Sequence, residues 1–255
     1  MPCSAATPSL STTILSAPST VLILCAIIRT VLSLISFEIA SCITDSLSTS
    51  SEAVASSISI IGASFKNALA DDIFEKILKY KNYIYPNGGV TVTGGEPLLQ
   101  VKFLIELFEK LKKENIHTCI DTSGMVSLTD DIKKLLSLTD LVLLDIKHID
   151  SEKCKNLVGF NNERELAFAR YLSDNNIHMW IRQVLVPGYT DDEQDLLKLK
   201  DFISTLKTVD KVEILPYHDM GRYKWEKLGL KYELDGVRVA NDNDVNKAKK
   251  ILGIS

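Results

Sequence analysis

Gly88-Gly89-Val90-Thr91-Val92-Thr93-Gly94-Gly95-Glu96-Pro97 is the stretch from which the fold of this chain can be read. Val90 to Thr93 is a short β-rich run that stops at two glycines, a carboxylate and a proline, and a helical pattern follows from Leu98 to about Lys113. Paired glycines at a strand end let a ligand approach bare backbone, because no Cβ intervenes. The proline fixes φ and suits the first turn of the next helix. The stretch is therefore a tight turn from strand to helix, with or without a ligand on its backbone.

The chain around this turn keeps the same rhythm. Ala68 to Tyr80 places Leu69, Ile73, Ile77 and Leu78 at helical spacing with charges between them, the pattern of an amphipathic helix. The helix from Leu98 to Lys113 puts Leu99, Phe103, Leu107, Phe108 and Leu111 on one face. Further strands are expected at Ile116–Asp121, Leu141–Ile146, His178–Val186 and Lys211–Leu215. Further helices are expected at Asp130–Leu136, Glu163–Asn175, Asp191–Leu206 and Asn243–Leu252. About five strands from Val90 onward thus alternate with helices, and their continuous apolar character suggests burial on both faces. That is the signature of a parallel α/β sheet with helical crossovers, either a barrel or an open doubly wound sheet.

Polar groups collect where the strands end: Glu96, Asp121, the Asp145/Lys147 pair and His218. In a parallel βα architecture these ends share one rim, so residues far apart in sequence converge. Asp145 and Lys147 are two apart and point the same way on a strand. A lysine buried at a strand end needs an anion, which is either Asp145 in an internal ion pair or a ligand carboxylate. His218 is a structural histidine or a ligand contact, and Asp121 with Thr122 either caps the next segment or faces a ligand. Collected on one rim, these residues favour a polar ligand site, joined by Arg182 if its end of the strand faces that rim. His117 and His178 border strands and belong to the surface or to packing. Cys119 lies inside an apolar strand and reads as an inert core thiol. Cys154 reads as part of a surface helix, where Lys153 and Lys155 favour its thiolate.

The 255 residues are 45% hydrophobic, enough for one large α/β domain or two small ones. A net charge of −4 offers no electrostatic case for nucleic acid or an anionic membrane. Five cysteines, Cys3, Cys25, Cys42, Cys119 and Cys154, are too scattered for a disulfide framework, and no CxxC or CxxxC spacing occurs. The averages hide a sharp break. Residues 1–65 carry four charges and 16 serines, while residues 66–255 carry the other 58 of 62 charges. In the first segment the longest apolar run, Val21 to Ile28, has eight residues and ends at Arg29. That is far short of the about 20 needed to span a bilayer, and no positive charge precedes it as an export signal requires. The expectation is a low-charge N-terminal segment, 1–65, disordered or foreign to the domain, followed by an α/β domain at 66–255.

Several motifs in order resemble the pyruvate formate-lyase-activating enzymes, a radical S-adenosylmethionine family. They are Thr91-Val-Thr-Gly-Gly-Glu-Pro97, Ile116-His-Thr-Cys-Ile-Asp-Thr-Ser-Gly124, Leu141-Val-Leu-Leu-Asp-Ile-Lys147, Asn156-Leu-Val-Gly159, Trp180-Ile-Arg182, Val186-Pro-Gly188 and Leu215-Pro-Tyr-His218. Lys224-Trp225 and Tyr232-Glu-Leu-Asp-Gly236 continue the series. The resemblance runs from about Ala68 onward and implies a partial parallel (β/α)6 barrel. It implies reductive cleavage of S-adenosylmethionine beside a [4Fe-4S] cluster, giving a 5′-deoxyadenosyl radical that makes a glycyl radical on pyruvate formate-lyase. Reduced flavodoxin or a similar donor, and an anaerobic cytoplasmic setting, go with that chemistry. By the resemblance, Gly94, Gly95 and Glu96 receive the amino group of the cofactor, and Asp145, Ile146, Lys147 and His218 hold its other polar parts. Asp121 and Thr122 match positions near a monovalent cation, and Arg182 is a further rim contact.

One departure is large. The family places a first strand and a CxxxCxxC loop ahead of the Gly-Gly-Glu strand, and those thiolates hold the cluster. Here Cys3, Cys25 and Cys42 are 22 and 17 residues apart, so no cluster ligands are found and no first βα unit is recognisable. Three readings follow: an activase whose residues 1–65 are a wrong reading frame or gene-model fusion, inactive as written; a cluster-less homologue that binds S-adenosylmethionine or a partner; or an unrelated βα enzyme acting on a small anion through Lys147 and His218.

Overall fold

The computed structural model describes residues 20–29, 36–45, 57–62, 70–84, 88–220, 222 and 232–254. The organising element is a parallel run of strands: β3 (Ser57–Gly62), β4 (Gly89–Thr93), β5 (His117–Thr122), β6 (Leu141–Asp145), β7 (His178–Leu185) and β8 (Val209–Pro216). Helices α1 (Ala70–Leu78) and α2 (Lys81–Ile84) lead into β4, and α3 (Val101–Lys113) and α4 (Asp130–Ser137) flank β5. Next come α5 (Ser151–Val158), α6 (Glu163–Asp174), α7 (Glu193–Ser204) and α8 (Asp242–Leu252). Every strand and helix expected from Ala68 onward is present, with ends shifted by a few residues.

The strands lie in sheet order as they occur in sequence, without a reversal. A doubly wound sheet reverses its order at a switch point and places helices on both faces. Sequential order with crossovers of one hand puts them on one face and curls the sheet as a barrel does. Burial follows that geometry. Val90, Val92, Ile120, Val142, Leu144, Met179 and Ile181 are buried against the helices, whereas Thr91, Thr93, Asp121, Leu143, Asp145, Trp180 and Arg182 stay half-buried on the opposite face. The expectation of burial on both faces is therefore corrected: this is a partial barrel with one packed face and one open one.

Two of the αβ connections are built alike. After α3 and α6 the chain turns through Asn115 and Asn176 at positive φ, and the amides of Ile116 and Ile177 donate to the carbonyls of Leu111 and Leu172. This is the left-handed helix end that asparagine tolerates. Between β4 and α3, Pro97–Gln100 forms a 3-10 turn instead of the first turn of a long α-helix. Its threefold repeat changes the phase, so Leu99 is 78% exposed while Leu107, Phe108 and Leu111 are buried.

Before residue 66 the described residues form three strands. β1 (Thr20–Arg29) and β2 (Ser36–Asp45) pair antiparallel, β2 pairs antiparallel with β3, and β3 runs parallel to β4. β3, α1 and β4 thus stand as the first βα unit, which the serine-rich composition conceals. Among the described residues no helix is long and apolar enough to cross a membrane.

Candidate functional site

Alternate residues of a strand share a face, and the half-buried face carries polar side chains near the strands' C-terminal ends. β4 presents Thr93, β5 Asp121, β6 Asp145 and β7 Arg182, which stands directly opposite Asp145 in register. Arg182 lies between the two carboxylates. Its Nε donates to Asp145 Oδ1 at 2.8 Å, its Nη2 lies 2.7 Å from the same oxygen, and its Nη1 and Nη2 donate to Asp121 Oδ2 (3.2 Å) and Oδ1. Thr93 Oγ1 donates to Asp121 Oδ2 at 3.0 Å, and Lys147 Nζ to Asp145 Oδ2 at 2.8 Å. Burial opposes the guanidinium charge, but Asp145 and Asp121 outweigh it and raise the Arg182 pKa above its ordinary value. The ladder Thr93–Asp121–Arg182–Asp145–Lys147 pairs two carboxylates with two cations across four strands. A balanced set of this kind suits a zwitterionic ligand, which offers one charge to each sign.

Glu96 is hydrogen-bonded outside that ladder. Its Oε1 accepts from the Thr122 hydroxyl (2.6 Å) and the Leu98 amide (3.2 Å), and its Oε2 from the Ser123 hydroxyl (2.7 Å) and amide (3.1 Å). The carboxylate is saturated and fastens the loop after β4 to the loop after β5. Thr122 is buried, and its hydroxyl also accepts from the Gly124 amide at 3.0 Å. What the Gly-Gly-Glu turn exposes is backbone. Gly94 and Gly95 have φ of 97° and 53°, and a Cβ on Gly95 would meet nothing within 4 Å, so the space above it is open. A groove of about 590 Å³ opens alongside, lined by Glu96, Leu99, Ser123, Met125, Val126 and Phe160 among others.

Of the other residues singled out in the sequence, Ile146 sends its side chain into the core, and its amide donates to the Arg182 carbonyl at 2.9 Å. His218 lies exposed beyond the end of β8, on the same edge of the sheet but outside the ladder. His117 and His178 are exposed at the opposite ends of their strands, and His178 Nδ1 lies 2.9 Å from Asp210 Oδ1. Thr93, Ser123 and Glu165 were missed. Thr93 and Ser123 lie inside the Thr91–Pro97 and Ile116–Gly124 motifs without a role of their own there, and Glu165 betrays itself as a carboxylate on the stripe of Phe168, Ala169 and Leu172.

Neither described thiol, Cys119 nor Cys154, fits an iron–sulfur cluster. Burial pushes Cys119 up to about 12 and Cys154 up to about 11, whereas cluster ligands are thiolates. The expectation of a surface Cys154 with a favoured thiolate is thereby corrected: α5 turns it wholly inward, away from Lys153 and Lys155. Among the described residues no group of three or more His, Cys, Asp or Glu could hold a metal ion. Cys3, Cys25 and Cys42 fall outside the residues whose side chains are described.

Residues 62–199 match the model of the Radical SAM superfamily. The chain is 49% identical over 193 residues to the pyruvate formate-lyase-activating enzyme of Staphylococcus aureus (strain USA300), covering 73% of this chain and 77% of that one. It is 46% identical over 188 residues to the enzyme of the same name from Streptococcus mutans, covering 72% of each. In structure it is similar to a domain of pyruvate-formate lyase-activating enzyme from Bacteroides vulgatus, with a TM-score of 0.54 and 24% identity over 65% of this chain and 93% of that one. That family works with S-adenosylmethionine and a [4Fe-4S] cluster, and membership removes the alternative of an unrelated βα enzyme. A sheet in sequential order, a Gly-Gly-Glu turn with open backbone and this degree of identity converge, and the chain belongs to the radical SAM superfamily, among its pyruvate formate-lyase-activating enzymes.

Proposed function

We propose that this chain is the S-adenosylmethionine-binding body of a glycyl-radical-enzyme activase and that, as written, it holds the cofactor without cleaving it. One observation carries the reading: the charge-balanced ladder on the open face beside bare glycine backbone, in a sequence without the CxxxCxxC spacing that holds the family's cluster. S-adenosylmethionine supplies the carbon–sulfur bond that the family breaks reductively. The residues here supply its grip. Lys147 and Arg182 suit the carboxylate of the methionine part, the carbonyls of Gly94 and Gly95 suit its amino group, and Asp145 and Asp121 suit cationic atoms nearby. His218 and the backbone of Ile146 complete the rim, and Thr122 acts through Glu96. The partner is a glycyl radical enzyme of the pyruvate formate-lyase class, and a flavodoxin-like protein is the electron donor for a form that carries the cluster. The composition of residues 1–65, with four charges and 16 serines, supports a foreign origin for that segment.

Two measurements test this. Calorimetry on the iron-free chain is expected to detect S-adenosylmethionine, with Lys147→Ala weakening it roughly tenfold, the usual worth of a charged hydrogen bond. Unchanged affinity in that variant removes Lys147 from the site. Iron and sulfide analysis after anaerobic reconstitution is expected to find no stoichiometric cluster, and a full complement would overturn the inactive reading.

A further inference from the structure

Glu165 sits in the first turn of α6, fully buried, and neither of its carboxylate oxygens makes a hydrogen bond. An unpartnered buried carboxylate is costly, and the rest of its stripe is apolar. Its polar surroundings belong to the candidate site. The amides of Lys147 and His148 lie near enough to favour its charged form, without hydrogen bonds of normal geometry. The titratable groups that act on it are Lys147 and Asp145, from β6 and the turn after it, and the buried thiol of Cys154 from α5. Asn162, just ahead of α6, fastens the same turn by donating to the carbonyls of His148 (2.9 Å) and Ile149 (2.6 Å). The start of α6 therefore grips from beneath the turn that carries Lys147.

We propose that Glu165 is a positioning residue for Lys147: carrying a proton, it keeps the floor under the Asp145–Lys147 pair uncharged, so that the ammonium stays on the rim for an anionic group of the ligand. This rests on the rim being the S-adenosylmethionine site. Burial pushes the Glu165 carboxyl up to about 8, so the proton is held at neutral pH and lost in mildly alkaline solution. Once ionised, Glu165 competes for Lys147 and repels a ligand carboxylate.

The test is calorimetry of the full chain with S-adenosylmethionine from about pH 6.5 to about pH 9, spanning that titration, beside infrared spectroscopy of the carboxyl band. The α-amino group of the ligand titrates near the same pH, so the readout is the difference between wild type and Glu165→Gln. The wild type is expected to lose roughly tenfold more affinity than the variant, the effect of one unit of coupled pKa. It should also show a protonated-acid band at neutral pH that the variant lacks. If the glutamine variant does not fold, Glu165→Met takes its place. Equal pH slopes, or an ionised Glu165 at neutral pH, overturn the proposal and leave the rim reading standing. No binding by either protein at any pH overturns the rim reading and this proposal with it.

Discussion

Arg182 is the residue on which the open face turns. It is 14% exposed and bridges Asp121 and Asp145, whose side chains are 22% and 20% exposed. Removing one partner of a buried ion pair costs about 3–5 kcal/mol, because the other charge is left unpaired. Here the carboxylates are part-exposed and keep Lys147 and Thr93, so Arg182→Met should cost about 2 kcal/mol, nearer the value for a charged hydrogen bond. A fall in the urea midpoint with an unchanged slope would show it. An unaltered midpoint would mean that the bridge adds nothing to folding. The sequence named Asp121, Asp145, Lys147 and Arg182 because strand ends share a rim. It left open whether Asp145 and Lys147 were an internal pair or a ligand site, and the geometry answers that they pair with each other while remaining part-exposed.

At the scale of elements, α5 and α7 are joined by a buried polar knot. His148 Nδ1 accepts from the Asp150 amide at 2.9 Å, so its Nε2 carries the hydrogen and donates to the Tyr189 carbonyl at 3.2 Å. Asp195 of α7 lies 3.7 Å from that ring and accepts from Lys153 of α5 and from Lys198 at 3.1 Å. Burial pushes Asp195 up, but the hydrogen bonds from the two lysines outweigh it and leave the carboxyl below its ordinary value. A lowered acid adds stability that is present above the unfolded-state value and fades as pH falls through the folded one. Compared with Asp195→Asn, the wild type should be more stable at neutral pH by about 1–2 kcal/mol, discounted for the exposed lysines. That margin should shrink in acid, as thermal melts across the acid range would reveal. A margin independent of pH would remove the charge from the account. Helical periodicity found α7 but could not show Asp195 inside, since a carboxylate on a helix is ordinarily solvated.

At the scale of the whole molecule, the sheet runs in sequential order into the segment before residue 66, through the parallel pairing of β3 with β4. The fold therefore has a place for a first strand, while no CxxxCxxC spacing occurs in the chain. Replacing residues 1–69 with a family N-terminal region that carries the cysteine loop should let the chimera take up the iron of one [4Fe-4S] cluster on anaerobic reconstitution. The unmodified chain should not. A chimera that folds but stays free of iron would show that residues 70–255 no longer support the cluster.

Residue order alone determined the βα rhythm, the single rim of strand ends and the family. Apolar periodicity, glycine placement and motif spacing are local properties that survive in one dimension. Only the tertiary structure decided that one face of the sheet stays open, that Leu99 points out and Cys154 in, that Glu96 is spent on the neighbouring loop, and that Glu165 lies beneath Lys147. Each of these depends on which surface a helix turns toward its neighbour, and that is set by packing among segments distant in sequence.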